Sequence, residues 1–350
     1  MGTSVIKCDG CGADMIYSPE KARLVCPYCS RERTVQKRFT HKRDFFQEKD
    51  FCEVDDQSIS YACPNCGGEV VLESFVTATK CPFCGATNVV KKENLKGMKP
   101  DGIIPFKLSK ENAYNSGKAW LKKRLYAHKK FKKEFKPDNV NGVYIPAFDF
   151  SATTFSTYTG TLGEHYYVTV GSGKNKHTEQ RTRWFNIGGS HNRFFDDVMI
   201  ESSKQLTQKE MNAILPYDTT DLEGYKAEYV AGFSAERYNE NIDDCFDKAK
   251  CQMESIIKSE ILSGYRYDVV GEFNLHTDYF PVTFNYVLLP LWVFGCKFKQ
   301  KMYKFIVNGV TGRSYGKYPK SVPKILFTIL LILGVIVGIV LLVMRSMGRI

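Results

Sequence analysis

The sequence predicts an α+β protein: two N-terminal zinc ribbons, a β-rich α+β cytosolic domain with a hint of internal duplication, and one C-terminal transmembrane helix. Three observations carry the prediction. Paired cysteines recur in a gapless repeat within the first hundred residues. Long period-two alternation fills the middle of the chain, and residues 325 to 344 form an uncharged apolar run. The chain divides into ribbon 1 (1–40), a charged linker (41–60), ribbon 2 (61–92), the α+β domain (101–316), a basic juxtamembrane segment (317–324), the membrane helix (325–344) and a short tail (345–350).

Length and composition agree. At 350 residues the chain can hold two or three domains, one with a full-sized core. Tyr (20) and Phe (24) far outnumber Trp (3), which suits β-rich packing and argues against disorder. The formal charge of +11 counts every thiol as neutral. A zinc ion held by four thiolates carries −2, so two such sites would lower the total to about +7. Of the 12 cysteines, eight fall as CxxC pairs, too tight and regular for a structural disulfide framework. "MGTSVIKCDGCGADM" has no apolar signal region and lacks the hydroxyl residue of a myristoylation motif. Thiols kept as ligands fit a reducing cytosol.

"CDGCGADMIYSPEKARLVCPYCSRERTV" aligns without a gap over "CPNCGGEVVLESFVTATKCPFCGATNVV". Cys8, Cys11, Cys26 and Cys29 match Cys63, Cys66, Cys81 and Cys84, and Gly12 and Gly67 each follow the second cysteine. Such a knuckle wraps backbone amides around a sulfur pair, and glycine supplies the positive φ of the turn. The stretches between knuckles read as β-hairpins. Units this small need metal to supply folding free energy, on the order of 10–16 kcal/mol. Four protein thiolates leave no open coordination position, so the two Zn²⁺ sites are structural; a rubredoxin-type iron is the chemical competitor. Cys52 has no CxxC partner and reads as a free thiol.

The apolar run spans about 30 Å as a helix, the thickness of a hydrocarbon core. From Lys297 to Lys324 there are eight Lys or Arg and no acid, against Arg345 and Arg349 beyond. Positive-inside bias therefore predicts a single-pass protein of the cell membrane with its N-terminal bulk in the cytoplasm. Gly334 and Gly338 form a GxxxG that could pack two copies as a homodimer.

In the body, residues 109 to 136 read as one helix. Ala113, Trp120, Leu121, Leu125, Phe131 and Phe135 lie on one arc, and Lys118, Lys122, Lys123, Lys129, Lys130 and Lys133 mostly lie opposite. That lysine face suits anionic phospholipid, nucleic acid, or plain solvent. "TTFSTYTGTLGEHYYVTV" and "EQRTRWFNIGG" alternate around a polar hairpin loop. A second helix covers about 238 to 262, with Ile242, Cys245, Phe246, Ala249, Met253, Ile256 and Ile257 as its apolar stripe. Cys245 is core and Cys251 lies opposite. Asn308-Gly309 signals a type I′ hairpin. "VYIPAFDF" and "VLLPLWVF" form a faint repeat, as two strand-plus-helix halves around one sheet would.

Catalytic motifs are missing: no phosphate loop, HExxH or GxSxG occurs. The six histidines (41, 128, 165, 177, 191, 276) have no metal-pair spacing. Asp196-Asp197 and Asp243-Asp244 would point to different faces. The sequence does not read as an enzyme.

Paired CPxCG knuckles, "IIPF" before a helix with "AW", "GVYIPAFDF", "YVLLPLWVF" and "VNGVTGRSYGKYPKS" before an apolar helix together resemble the bacterial TFIIB-type zinc-ribbon membrane proteins, often labelled primosomal-helicase-like or phage-replication-like. The resemblance implies that the eight cysteines above are metal ligands. It carries Pro290, Trp292, Asn308, Gly309, Thr311 and Gly312 as signature positions without a role; Pro146 and Phe148 match the first P-x-W more loosely. A helicase activity is not implied, because nucleotide-binding motifs are absent. The family's genes often neighbour envelope-stress proteins, which implies a membrane recruitment factor.

Two functions are therefore expected. The first is a membrane-anchored adaptor that recruits a cytosolic or membrane protein partner to the inner-leaflet lipid. The alternative is a membrane-tethered nucleic-acid binder using the basic helix and "RERTVQKRFTHKRDFF".

Overall fold

A computed structural model describes residues 6–36, 42–50, 53–55, 59–64, 69–72, 81, 83, 90–92, 95–135, 140–203, 205–298 and 301–346. The N-terminal hairpin is built from β1 (Ile16–Ser18), β2 (Arg23–Val25) and β3 (Glu32–Thr34). Residues 42–50 of the linker are docked on the body: β4 (Arg43–Asp44) pairs with Thr283 and Phe284 and leads into the short helix α1 (Phe45–Glu48). β5 (Glu53–Asp55), β6 (Ile59–Ala62), β7 (Glu69–Leu72), β8 (Val90–Lys92) and β9 (Leu95–Gly97) follow.

The body contains β10 (Gly102–Ile103), α2 (Lys110–Lys122), α3 (Lys129–Glu134), β11 (Val140–Val170), β12 (His177–Glu201), α4 (Gln208–Ile214), β13 (Glu223–Gly224), α5 (Ala227–Val230), β14 (Ser234–Glu236), α6 (Ile242–Ser263), β15 (Val269–Phe298), β16 (Lys301–Asn308) and β17 (Ser314–Gly316). The last element among the described residues is α7 (Val322–Ser346), whose apolar part is long enough to cross a membrane. Ser109, Asn241 and Thr207 cap α2, α6 and α4 through side-chain oxygens, the last in a full capping box with Glu210.

β11 and β15 form an antiparallel pair at the centre of a sheet that has 12 strands among the described residues. Ile145 lies opposite Leu289. About that point the pairings mirror one another. β14 joins β11 in parallel at Val143–Tyr144, and β10 joins β15 in parallel at Val287–Leu288. The hairpin return β12 begins pairing at Ala147, and the return β16 at Leu291.

The "VYIPAFDF" stretch is buried on both faces, so it lacks alternation. Tyr144, Phe148, Leu288, Trp292 and Phe294 share one core with the N-terminal hairpin and α6. Val143, Ile145, Leu289 and Val293 share the opposite core with Met211 and Ile214 of α4 and with Cys63 and Cys81. Cys8 and Cys26 therefore lie on one face of the sheet and Cys63 and Cys81 on the other. The second unit is also continuous with the sheet, since β7 pairs with β14.

Past Ala152 the β11–β12 hairpin continues as an arm roughly 60 Å long at 3.3 Å per residue, with β15 beside β11 as far as Gly163. α6 covers one face, where Leu162, Ile187 and Leu262 cluster and Tyr158 and Tyr265 share a 2.8 Å hydroxyl contact.

Three expectations need correction. The helix expected over 109–136 is two helices. Tyr126 and His128 instead bond the segment leading to α7 (Ser321 N to Tyr126 O, 2.7 Å; His128 N to Pro319 O, 3.0 Å), so the chain breaks there and Leu125 is 67% exposed. Ile256 likewise leaves the stripe of α6 and is exposed. The Asn308-Gly309 hairpin forms, but not as type I′. Gly312 N bonds Asn308 O, and Gly312 alone in that turn has positive φ, +75°. The Asn308 side chain accepts from Val310 N and Thr311 N and donates to Ile214 O, which holds the wider turn.

Candidate metal centre

The first unit forms a site. Cys8 and Cys11 lie on one knuckle, Cys26 and Cys29 on the other, and β1–β2 bring the knuckles together. The four sulfurs lie within 4.8 Å of one another; Cys8–Cys29 and Cys11–Cys26 are each 3.5 Å apart. A disulfide needs about 2.05 Å, whereas a tetrahedral S₄ site with metal–sulfur bonds near 2.3 Å needs about 3.8 Å between sulfurs. The cluster fits a metal ion.

Local backbone explains the geometry. Gly10 N donates to Cys8 Sγ at 3.4 Å, and Gly12 turns the first knuckle at φ +73°. Ser30 fills the corresponding turn of the second at φ +59°, a conformation a glycine would adopt more cheaply. Amides of Cys29 and Tyr28 pull the Cys26 thiol down to about 6, and those of Gly10 and Cys11 lower Cys8. At Cys11 the Ala13 amide pulls down but is outweighed by the Cys26 and Cys29 sulfurs, which push it up to about 12. Sulfurs this close repel as thiolates, and a divalent cation between them relieves that.

This unit is docked. Tyr17 stacks edge to face on Tyr229 at 5.4 Å, and Tyr17 N bonds Ala231 O. In the second unit Cys63 and Cys81 are both buried; Cys66 and Cys84 lie outside the described residues, as do Cys52 and His41.

A second constellation escaped the sequence. Lys42 Nζ donates to Ser151 Oγ (2.5 Å), Asp196 Oδ1 (2.6 Å) and Asp197 Oδ1 (2.8 Å), and lies 4.0 Å from Asp149. Adjacent aspartates were expected on opposite faces. They converge because the β11–β12 register shifts between Phe150 and Ala152 and Asp197 takes φ +58°. Asp149 is fully buried with no hydrogen bond to either oxygen, and burial pushes its carboxyl up to about 7. Its one sequence signal is a charge inside the apolar run "IPAFDF". Arg43 clasps Asp101 and Lys49 pairs with Asp243, so three cations clamp the linker onto the body.

Fold and site define an α+β protein with a four-cysteine, metal-competent N-terminal unit and one apolar C-terminal helix. No family model matches the chain, and no solved structure does. It is similar to a Bacillus subtilis (strain 168) protein described as uncharacterized protein YdjG, 28% identical over 324 residues, 91% of each chain.

Proposed function

We propose that this chain is a membrane-anchored zinc-ribbon adaptor, of the TFIIB-type kind its motifs resemble. In this reading α7 spans the cell membrane once, the body lies in the cytoplasm, and the arm recruits a protein partner to the inner leaflet. The metal is zinc, and Cys63, Cys66, Cys81 and Cys84 hold a second ion. The mirrored pairing about Ile145 and Leu289 supports an origin by internal duplication. Gly334 and Gly338, with no side chain near them, leave α7 open to a second copy.

The observation that carries the reading is the arm face turned away from α6. Phe194 pairs with Thr153, Phe155 with Asn192, Trp184 with Gly163 and Tyr167 with Gln180, so all four aromatics share that face. All are exposed, and Phe280 on β15 is exposed near its base. Exposed aromatic rows of this kind suit a protein partner. The root of α7 bonds residues 126–128, and His128 packs on Phe298, at the far end of β15 from the arm tip. In this reading the arm leads away from the membrane. Phe155→Ala with Phe194→Ala and Trp184→Ala is expected to lose the partner while metal content and melting temperature stay unchanged. Retained binding would contradict the reading.

Nucleic acid remains a second reading because of the arm tip. There Arg183 lies over Tyr166 at 5.7 Å, beside exposed Arg181 and His177. Binding would then fall by roughly 0.9 log units per phosphate contact for each tenfold rise in salt on duplex DNA.

A further inference from the structure

We propose that Lys122–Lys133, at the root of α7, is a seat for anionic lipid headgroups. The inference rests on α7 crossing a membrane.

Position comes first. Ala127 bridges Lys320, and Lys324 Nζ donates to Leu125 O (2.9 Å) and Ala127 O (3.2 Å). Lys324 belongs to the first turn of α7. Wherever α7 enters a bilayer, the 123–128 loop lies at the interface with it.

Chemistry comes second. Lys122, Lys123, Arg124, Lys129, Lys130, Lys132 and Lys133 crowd this segment, and its flank offers one acid, Glu134, 4.0 Å from Lys130. Arg124 Nε is buried without a hydrogen-bond acceptor, and its guanidinium lies over Trp120 at 4.2 Å. Trp120 in turn packs on Tyr315 and Tyr318, on the segment leading to α7. Desolvation and the Lys324 charge both lower the Lys132 ammonium, a crowding that a phosphate would relieve.

Apolar surface comes third. Leu125 is 67% exposed and Val322 63% exposed, both at this root. An exposed leucine in a segment rich in lysine and arginine, with Trp120, Tyr315 and Tyr318 packed at the same root, has the composition of a headgroup contact. A nucleic-acid strand would have to run along the bilayer surface to reach the same groups, so lipid is the occupant the geometry favours.

The test uses the full chain in nanodiscs of neutral phosphatidylcholine, and of the same lipid with anionic phosphatidylglycerol. Hydrogen exchange is read along the chain. Slow exchange throughout α7 in both discs reports insertion alone, and its absence would overturn the anchor itself. With α7 protected, amides of 123–128 are expected to exchange about tenfold more slowly in anionic discs, the effect of one or two surface lysines at about 1 kcal/mol each. Replacing the exposed Lys123, Lys129, Lys130 and Lys133 by Gln should abolish the difference without lowering the melting temperature. Equal exchange in both discs, or protection conferred by duplex DNA in neutral discs and not by anionic lipid, would overturn the proposal.

Discussion

Tyr17, between the two cysteine pairs of the first unit, meets Tyr229 of the body edge to face with ring centroids 5.4 Å apart. Both are buried in the core that holds Cys8, Cys26 and Leu24 together with Tyr144 and Phe148. The metal-competent unit is thus built into the body's packing. Chelating the metal is expected to lower the melting temperature of the whole chain. Cys26→Ser should do the same and remove one metal equivalent by elemental analysis. A body that melts unchanged after metal loss would show the unit to be independent.

Ser30 carries φ +59° where the first knuckle places Gly12. Ser30→Gly is expected to stabilise the site by about 0.5–1 kcal/mol. The measurement is the chelator concentration at half-loss of metal, which should rise.

Asp149 sets a pH dependence. Burial raises its carboxyl to about 7, and burial raises Glu236 to about 7 as well, despite the Ser203 hydroxyl at 2.6 Å. A carboxyl whose folded value exceeds its unfolded one contributes stability that is complete at low pH and lost as pH rises through the folded value. The chain is therefore expected to lose stability between about pH 4, the unfolded value, and about pH 7, the folded one, by on the order of a few kcal/mol per group. Asp149→Asn should remove about half of that slope in denaturant titrations, with Glu236 supplying the rest. Asp196 runs the other way: its bond to Lys42 lowers it, so its contribution fades only under stronger acid.

Gly309 is a signature position with a steric reason. A Cβ there would meet Phe106 at 2.6 Å and Pro290 at 2.8 Å. Gly309→Ala is expected to cost about 1–3 kcal/mol, read as a lower denaturation midpoint with an unchanged slope.

Much of this molecule was legible because its information is local. Cysteine spacing marks the Cys8–Cys29 unit, and alternation marks the arm strands up to the 171–176 loop. What was missed depends on distant partners. Nothing near Leu125 announces that Tyr126 and His128 will bond Ser321 and Pro319. Likewise, no local pattern shows β7 joining β14, or Lys42 reaching Asp196. Asp197 defeated the face rule because one residue in left-handed backbone reverses the alternation.

The central claim is recruitment of a protein to the membrane, and fractionation tests it most directly. Cells carrying the full chain are compared with cells carrying a chain ended after Lys324, which keeps the lysine that bonds Leu125 and Ala127. The account predicts that a soluble protein cross-linked to the arm moves from the membrane fraction to the cytosol together with the truncated chain. If no protein changes fraction, or if only nucleic acid is cross-linked to the arm, the adaptor reading is contradicted.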